Sequence, residues 1–219
     1  MDPTRAAWDA LHRQARYFTR YPSEEVIRFV ARHLPPRRDG VSVLDAGSGA
    51  GRHAAFLSRE GFRTFAVDYS REGLAETRAQ LQQQGLVAHL AEARLGELPF
   101  PDGAFDAVIA YGTIYYADQR GVARHVQELH RVLRPGGSAF VLTRSVHDGR
   151  YGLGERVDRD CFRLSADAPS EVGMTVCFLS EADVRALFAP FSACAVDRWE
   201  QTQDDQRVRN SHWLITAKR

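Results

Sequence analysis

A glycine-rich turn between a predicted strand and a predicted helix constrains this chain more than any other stretch. Residues 41–44 (Val-Ser-Val-Leu) are typical of a short strand, and a helix is predicted to begin near Arg52. Gly47, Gly49 and Gly51 alternate within the turn. Because glycine has no Cβ, the backbone can take positive φ angles and a ligand can lie against the main chain. The following helix directs unpaired N–H groups at the turn, and we therefore predict a nucleotide-type binding site.

Two kinds of nucleotide site use a turn of this type. The dinucleotide fingerprint G-x-G-x-x-G would require its third glycine at position 52, where this chain has Arg52. A long cationic side chain at that position is unsuited to close packing of the helix on the strand. Asp45 ends the strand, and its carboxylate can reach an ammonium group or hold amides of the turn. A glycine-rich turn that serves structure alone is the remaining alternative.

Length and charge limit the class of protein. The chain has 219 residues, enough for one domain with a full core. Lys+Arg 29 against Asp+Glu 28 gives a formal net charge of +1, so no overall field favours nucleic acid or a membrane surface. We find no signal-peptide core and no apolar run near the roughly 20 residues of a bilayer span, and we expect a cytoplasmic protein. Cys161, Cys177 and Cys194 are expected to be reduced, since they are too few and scattered for a disulfide framework or a metal site.

Strand and helix signals alternate around the turn. Before it, amphipathic helices are predicted over residues 4–19 and 24–34, with Ser23 as the N-cap of the second. This second helix is expected to bury Val26, Ile27, Val30 and Leu34. After the turn we predict helices over 52–59, 71–84 and 118–133, and strands over 62–67, 86–90, 105–111 and 138–143. This alternation indicates a parallel sheet covered on both faces.

The pattern changes after residue 143. Residues 144–170 are polar and irregular, and we predict no regular element there, which is typical of a functional or mobile segment. Arg144 and Arg150, at the start of this segment, can either hold a carboxylate or phosphate of a bound molecule or face solvent. We expect them to face solvent, because arginine is frequent throughout the chain. Beyond it we predict a strand over 172–179, a helix over 181–188 capped by Ser180, and an antiparallel hairpin of residues 191–199 and 210–217.

Five signals, in this order, resemble class I S-adenosylmethionine-dependent methyltransferases. They are D-x-G-x-G-x-G at 45–51, Asp68 ending the second strand, L-P-F-P-D-G-A-F-D at 98–106, L-R-P-G-G at 133–137, and the terminal hairpin. The resemblance implies an α/β, Rossmann-like fold whose seven-stranded, mainly parallel sheet has an antiparallel last strand and helices on both faces. It also implies S-adenosylmethionine as the cofactor and S-adenosylhomocysteine as the product.

The resemblance extends to individual cofactor-binding residues. Asp68 matches the acidic residue that binds the ribose hydroxyls, a role that suits a carboxylate because it accepts two O–H bonds. The family commonly places an acidic residue four positions before Leu-Pro-Phe, where this chain has Arg94; Glu92 is the nearest candidate. Either the loop is two residues longer here or the backbone around Ala93 contacts the adenine. The implied cofactor-binding residues are Asp45, Gly47, Ser48, Gly49, Gly51, Asp68, Tyr69, Glu92, Ala93, Tyr111 and Tyr21.

Candidate acceptor-side residues follow the predicted fourth and fifth strands. Tyr116 is a candidate catalytic residue because it follows a strand's carboxyl end, with simple packing as the alternative. His147 is a candidate general base, since an unperturbed histidine has a pKa of about 6.5; a solvated loop histidine is the other interpretation. Tyr17 and Tyr21 can either close over the methionine end of the cofactor or pack in the core.

These signals predict one methyltransferase domain. Its parts are an N-terminal helical cap (1–40), a cofactor-binding core (41–143), a substrate-side insert (144–180), and a last helix with the terminal hairpin (181–219). We expect in-line methyl transfer to the oxygen, nitrogen, sulfur or carbon of a small molecule, without a metal, nucleic-acid or membrane partner, by a monomer or homodimer. The alternatives are a methyltransferase acting on RNA or protein, and a non-catalytic module that senses the cofactor.

Overall fold

A central β-sheet with helices on both faces dominates the structure, a computed structural model that describes residues 8–11, 13 and 20–219. Its strands are β1 Ser42–Ala46, β2 Arg63–Asp68, β3 His89–Glu92, β4 Phe105–Tyr111, β5 Leu133–Arg144, β6 Gly154–Asp158, β7 Cys161–Leu164, β8 Thr175–Cys177, β9 Ala193–Gln203 and β10 Val208–Lys218. Its helices are α1 Glu24–His33, α2 Arg52–Arg59, α3 Arg71–Gln83, α4 Gln119–Val132 and α5 Glu181–Leu187. None of these helices is long and apolar enough to cross a membrane.

The topology of the large sheet confirms the predicted fold class. Its seven strands lie in the order β3-β2-β1-β4-β5-β10-β9. The five strands from β3 to β5 are all parallel, whereas β10 runs antiparallel to both β5 and β9. The carboxyl ends of β1, β2, β4 and β5 therefore meet at one edge of the sheet. Polar residues stand at these ends: Asp45, Asp68, Tyr111 and Arg144.

Alternate side chains of the central strands pack on two separate helical layers. Val108 of β4 belongs to the apolar cluster that includes side chains of α4 and α5. Ile109, the next residue, belongs to the cluster that includes side chains of α1 and α2. Because both faces are covered, these strands read as nearly continuous apolar runs, as expected for a parallel sheet.

Helix α1 buries a different stripe from the predicted one. Val26, Phe29 and Val30 are buried, but Ile27 is 40% exposed. Positions i, i+3 and i+4 share one face of a helix, so the stripe that contains Val26 passes through Phe29 and excludes Ile27. The predicted burial of Ile27 is wrong for this reason. Most of the predicted first helix lies outside the described residues, although residues 8–11 are helical.

Helix caps agree with the sequence prediction at one position and differ at another. Ser180 caps α5 in a full capping box with Asp183. Ser23 stands at the N-cap position of α1, but its side chain makes no capping hydrogen bond. Its hydroxyl instead lies 3.4 Å from Nε2 of His53. Ser23 therefore connects the start of α1 to the first turn of α2, directly after the glycine-rich turn.

The segment predicted to be irregular contains a small sheet. Strands β6, β7 and β8 form a separate three-stranded antiparallel sheet within the 144–180 insert. The absence of regular structure predicted for residues 144–170 is therefore wrong. Every residue of β6 is exposed, so the strand has no alternation of apolar and polar residues to reveal it. The predicted strand over 172–179 shortens to Thr175–Cys177, since Val172 is 55% exposed.

Two of the cysteines are joined in a disulfide. Cys161 of β7 and Cys177 of β8 are register partners, and the bond between them spans 16 residues of sequence. The expectation of reduced cysteines is wrong for this pair. It rested on an insert without strands, and only the pairing of β7 with β8 brings the two thiols together. Cys194 is free.

Candidate functional site

The glycine-rich turn, residues 45–51, is tied to the neighbouring strand by its own amides; we call it the cofactor loop. The amides of Gly47 and Ser48 both donate to the carbonyl of Val67, at 2.8 and 2.9 Å. The amide of Gly49 donates to Oδ2 of Asp68 at 2.7 Å. These bonds fix the loop against the end of β2.

Two of the loop glycines are required by both conformation and close contacts. Gly47 has a φ of +83°, and a Cβ there would lie 2.3 Å from Cγ2 of Thr113. Gly51 has a φ of +86°, and its Cβ would lie 2.7 Å from Cγ2 of Thr77. Thr77 also donates its hydroxyl to the carbonyl of Gly49 at 2.8 Å. Side chains on β4's following loop and on α3 therefore press on the cofactor loop from two directions.

Asp68 holds both the cofactor loop and the start of α3. Besides Gly49, its carboxylate accepts the amide of Ser70 at 2.8 Å. The side chain is only partly buried. Tyr69, beside it, accepts a hydrogen bond from Arg94 at 2.6 Å, with the guanidinium 4.5 Å from the ring centroid. The arrangement suits a carboxylate that accepts hydroxyl groups of a sugar.

Three polar groups of the loop and of the helix after it have unmet bonding capacity. Oδ2 of Asp45 and Oγ of Ser48 are buried without a hydrogen-bond partner. Arg52 is partly buried and stacks on Tyr111, 5.3 Å from the ring centroid, but forms no ion pair or hydrogen bond with any residue that the structure describes. Burial raises the pKa of Asp45 to about 7, against the opposing charge of Arg52. Such groups are costly unless a ligand satisfies them.

Tyr111 connects the end of β4 to α1 and α2. Its hydroxyl donates to Glu25 at 3.1 Å, and its ring packs edge-on against His53. Burial raises the pKa of Tyr111 to about 12, so it is a phenol at neutral pH. Burial and the charge of Arg52 hold the pKa of His53 well below its usual range. His53 is therefore neutral, and its Nε2 accepts the amide of Ser23 at 3.3 Å.

The segment expected to face the adenine contains a tight turn. The amide of Glu97 donates to the carbonyl of Arg94 at 3.0 Å, and the two residues form an isolated antiparallel bridge. The carboxylate of Glu92 pairs with Arg71 at 2.7 Å. The amide of Ala93 donates to the carbonyl of Asp68 at 3.0 Å.

Beyond the end of β5 lies a buried group of four charged side chains, Arg144, Asp148, Arg150 and Glu171, which we call the ion cluster. Arg144 pairs with Asp148 at 2.9 Å and with Glu171 at 2.8 Å. Arg150 pairs with the same two carboxylates, at 3.1 and 3.3 Å. The expectation that both arginines face solvent is wrong, because two acidic residues far apart in the sequence neutralise them inside the protein.

The ion cluster reaches Tyr116 through Glu171. Tyr116 donates its hydroxyl to Oε1 of Glu171 and packs edge-on against Trp8, with ring centroids 4.5 Å apart. Arg144 lies over the ring of Tyr115 at 5.2 Å. Burial and the nearby Glu171 hold the pKa of Tyr116 well above its usual range, so the group is a protonated phenol. Tyr116 therefore stands beside the cluster as a fixed hydrogen-bonding group and is unsuited to accepting a proton.

Two predicted site residues stand apart from this arrangement. The side chain of His147 is exposed, and only its backbone amide makes a hydrogen bond, to Ser145 at 3.1 Å. Tyr21 is 83% exposed. Tyr17 lies outside the described residues. The roles assigned to these three side chains stay predictions.

Several residues of the site were missed by the sequence patterns. Glu171 sits in a loop and has a positive φ of 64°, which no local motif indicates. Asp148 is four residues after Arg144, a spacing that predicts an ion pair only on a helix. In the sequence pattern, Arg52 only argues against a dinucleotide site. The signal for its place in this site is that it begins a helix a few residues after Asp45, at the end of a predicted strand.

Comparisons with known proteins agree with this geometry. Residues 43–137 match the family described as a methyltransferase domain. A demethylmenaquinone methyltransferase of Thermus thermophilus is 39% identical over 119 residues, which is 52% of this chain and 53% of the relative. The chain thus spans about half the length of the Thermus relative. It spans a smaller share of other similar sequences, for example 37% of an uncharacterized protein of Mycobacterium tuberculosis.

Solved structures share the fold at low sequence identity. A methyltransferase from Methanosarcina mazei superimposes with a TM-score of 0.70 at 19% identity, covering 87% of this chain and 96% of that one. A Burkholderia thailandensis 1,6-didemethyltoxoflavin-N1-methyltransferase, with its substrate and S-adenosylhomocysteine bound, gives 0.64 at 20% identity, covering 89% and 76%. The chain therefore shares its strand order with solved methyltransferases, and its residues 43–137, which include the cofactor loop, are similar to a methyltransferase domain.

Proposed function

We propose that this chain transfers a methyl group from S-adenosylmethionine to a small-molecule acceptor, leaving S-adenosylhomocysteine. The observation that carries the proposal is the cofactor loop, in which Oδ2 of Asp45 and Oγ of Ser48 are buried without a hydrogen-bond partner. Asp68, at the adjacent strand end, provides a carboxylate, the kind of group that accepts ribose hydroxyls. A ligand with an ammonium group and a vicinal diol meets both requirements, and a dinucleotide meets only the second.

Methyl transfer from a sulfonium depends mainly on the alignment of the two reactants, and less on acid, base or covalent catalysis by side chains. The cofactor supplies a methyl group on a positively charged sulfur, which a nucleophile can displace in line without a metal. The chain contributes by fixing both reactants and excluding water. The acceptor side is bordered by Tyr111, by Tyr116 and by Trp8, which packs on Tyr116.

Tyr116 serves in this proposal to orient the acceptor. Its proton is committed to Glu171, and its oxygen accepts a long hydrogen bond of 3.5 Å from Tyr115, which an O–H or N–H group of the acceptor would replace. Such a bond would turn a lone pair of the nucleophile toward the sulfur. His147 stays the candidate general base for acceptors that are protonated at working pH. Its side chain is exposed, at the start of the insert.

A small acceptor is favoured over RNA or protein. The formal net charge is +1, and the arginines at the acceptor side are neutralised within the ion cluster. The Thermus relative and the Burkholderia neighbour both have names that specify small-molecule substrates. A monomer or homodimer in the cytoplasm, without nucleic-acid or membrane partners, belongs to the same proposal.

Calorimetric titration with S-adenosylmethionine tests the donor site. Wild type should bind in the micromolar range, and Asp68→Ala should lose binding; Asp68→Asn keeps one acceptor for the loop amides and should show a smaller loss. Asp102→Ala, at an exposed carboxylate paired with Arg131, is the control and should bind as wild type does. Absence of binding by folded wild type would refute the proposal.

The acceptor class needs a second assay. Release of S-adenosylhomocysteine should be measured with a panel of small hydroxyl, amine and thiol compounds, and in parallel with bulk RNA and with protein. Turnover with a small compound alone supports the proposal. Turnover only with RNA or protein contradicts it, and tight cofactor binding with no turnover on any panel favours a sensor.

A further inference from the structure

Strand β9 forms a long outer edge of the large sheet. It is the last strand in the order, and among the strands that the structure describes only β10 pairs with it. It runs over eleven residues, Ala193–Gln203, whereas β3 at the opposite edge has four. An edge strand presents a row of N–H and C=O groups that can pair with another chain, and proteins usually keep such edges short or covered. The edge of β9 is therefore a candidate interaction surface.

The charges of β9 are ordered so that its edge is complementary to itself. In an antiparallel pair, residues directly opposite each other point to the same face of the sheet. Two copies related by a two-fold axis therefore pair about one central residue, which lies opposite its own copy. A centre at Asp197, Arg198 or Glu200 would oppose like charges, which is unfavourable. A centre at Trp199 instead places Arg198 of each copy opposite Glu200 of the other.

Contacts within one chain prepare these side chains for a second copy. Arg209 of β10 holds the carboxylate of Glu200 at 2.8 Å. Arg198 makes only a long contact of 3.7 Å with the same carboxylate, and its side chain is 48% exposed. The ring of Trp199 packs on His212, with centroids 5.6 Å apart, and stays partly exposed. Tryptophan and arginine are enriched at protein interfaces, so both side chains suit a surface that becomes covered.

We propose that β9 pairs with β9 of a second copy of this chain, antiparallel and centred on Trp199, over residues 195–203. The pairing joins the two large sheets into one continuous sheet, with an Arg198–Glu200 pair on each side of the two-fold axis. Charged residues on an edge strand commonly prevent pairing. Here their order selects one register and opposes its neighbours. No residue of the cofactor loop takes part, so the inference does not depend on the proposed function.

Exchange of charges between two variants tests this pairing. Sedimentation equilibrium of wild type at micromolar concentrations should give twice the mass of one chain. Arg198→Glu and Glu200→Arg should each oppose like charges on both sides of the axis and raise the dissociation constant about 10-fold or more. An equimolar mixture of the two variants restores both charge pairs. The mixture should form a heterodimer about as tight as the wild-type homodimer.

A control and a covalent trap complete the experiment. Arg207→Glu, on the turn of the same hairpin and outside the paired residues, is the matched control and should keep the wild-type dimer. In a Cys194→Ser background, Trp199→Cys brings two thiols together at the axis and should give a covalent dimer under mild oxidation. Asp197→Cys in that background holds the thiols roughly 13 Å apart along the strands and should give none. The trap reports on the register even if a charge variant does not fold.

The results that would overturn the pairing are distinct. A monomeric wild type at high micromolar concentration would mean that β9 is a solvated edge or the docking site of a different protein. A dimer whose dissociation constant is unchanged in both charge variants would place the interface on another surface. A mixture of the charge variants that stays monomeric, or a covalent dimer from Asp197→Cys but not from Trp199→Cys, would show that the register is wrong.

Discussion

At the residue scale, the carboxyl group of Asp45 should make cofactor affinity depend on pH. Burial raises its pKa to about 7 in the free protein, so it is mostly neutral below that pH and mostly charged above it. An ammonium ligand binds the charged form, and affinity should therefore fall by about tenfold per pH unit below pH 7. At higher pH, affinity should fall again as the ligand's α-amino group, with a pKa of about 8, loses its proton.

Calorimetry with S-adenosylmethionine between pH 5.5 and 9 (about the range these two groups span) checks this expectation. Asp45→Asn should bind more weakly at pH 7.5 and should lose the decline on the acid side, while it keeps the decline on the basic side. If the affinity of Asp45→Asn still falls at low pH as it does in wild type, a group other than Asp45 is responsible for the decline.

Two glycines with positive φ angles distinguish the cost of backbone strain from the cost of a steric clash when a side chain is added. Gly61 has a φ of +87° with nothing within 4 Å of an added Cβ, whereas at Gly47, with a φ of +83°, the Cβ would lie 2.3 Å from Thr113. Gly61→Ala should lower the free energy of unfolding by about 1–2 kcal/mol from backbone strain alone. Gly47→Ala should cost clearly more and should also abolish cofactor binding. Urea unfolding with calorimetry measures both, and equal stability losses would contradict the steric argument.

At the element scale, the insert is held to the core by the ion cluster. Burial acts to raise the pKa of Glu171, but the charges of Arg144 and Arg150 and the Tyr116 hydroxyl outweigh it and lower the pKa. A lowered carboxyl pKa contributes stability above the unfolded-state value and loses it as pH falls through the folded-state value. The carboxylate of Glu171 is therefore a stabilising group at neutral pH.

Removing this one charge should be costly, because it leaves two buried arginines with one carboxylate. Glu171→Gln should lower the free energy of unfolding by about 3–5 kcal/mol. Glu181→Gln breaks an exposed pair with Arg185 on α5 and should cost about 0.3–0.5 kcal/mol. Urea unfolding at neutral pH measures both free energies of unfolding. Similar losses in the two variants would mean that water screens the charges of the ion cluster as it does those of the exposed pair.

The sequence predicted the elements that carry their own periodicity and missed those that depend on distant partners. Strand β4 was predicted over its full length, because Phe105–Tyr111 is apolar except for Asp106 and its central residues are buried on both faces. Strand β6 was missed, because its only partner is β7 and its side chains are exposed. The same distinction applies to the site: Asp45 and Asp68 stand at the ends of strands, but Glu171 is identified by its contacts with the distant Arg144 and Tyr116.

At the scale of the whole molecule, the sheet joins the cofactor loop to distant parts of the chain. Asp106, on β4, accepts the amide of Ser42 at 2.8 Å and pairs with Arg134 at 2.6 Å. Arg219, at the end of the chain, exchanges backbone hydrogen bonds with Gly136 and Gly137. The loop itself contacts β2, α3 and the segment after β4. A ligand bound there should therefore stabilise the folding unit as a whole.

Thermal unfolding should report this coupling. A ligand at 100 times its Kd stabilises the folded state by about 2.7 kcal/mol, and a domain of this size gains about 2–4 °C per kcal/mol. S-adenosylhomocysteine should thus raise Tm by about 5–10 °C in wild type, whereas Asp68→Ala should show little change and NAD should have no effect on either protein. An equal rise in Tm with NAD would instead support a dinucleotide site at the cofactor loop. A biphasic transition in which only one phase moves would show that the insert and the core unfold separately.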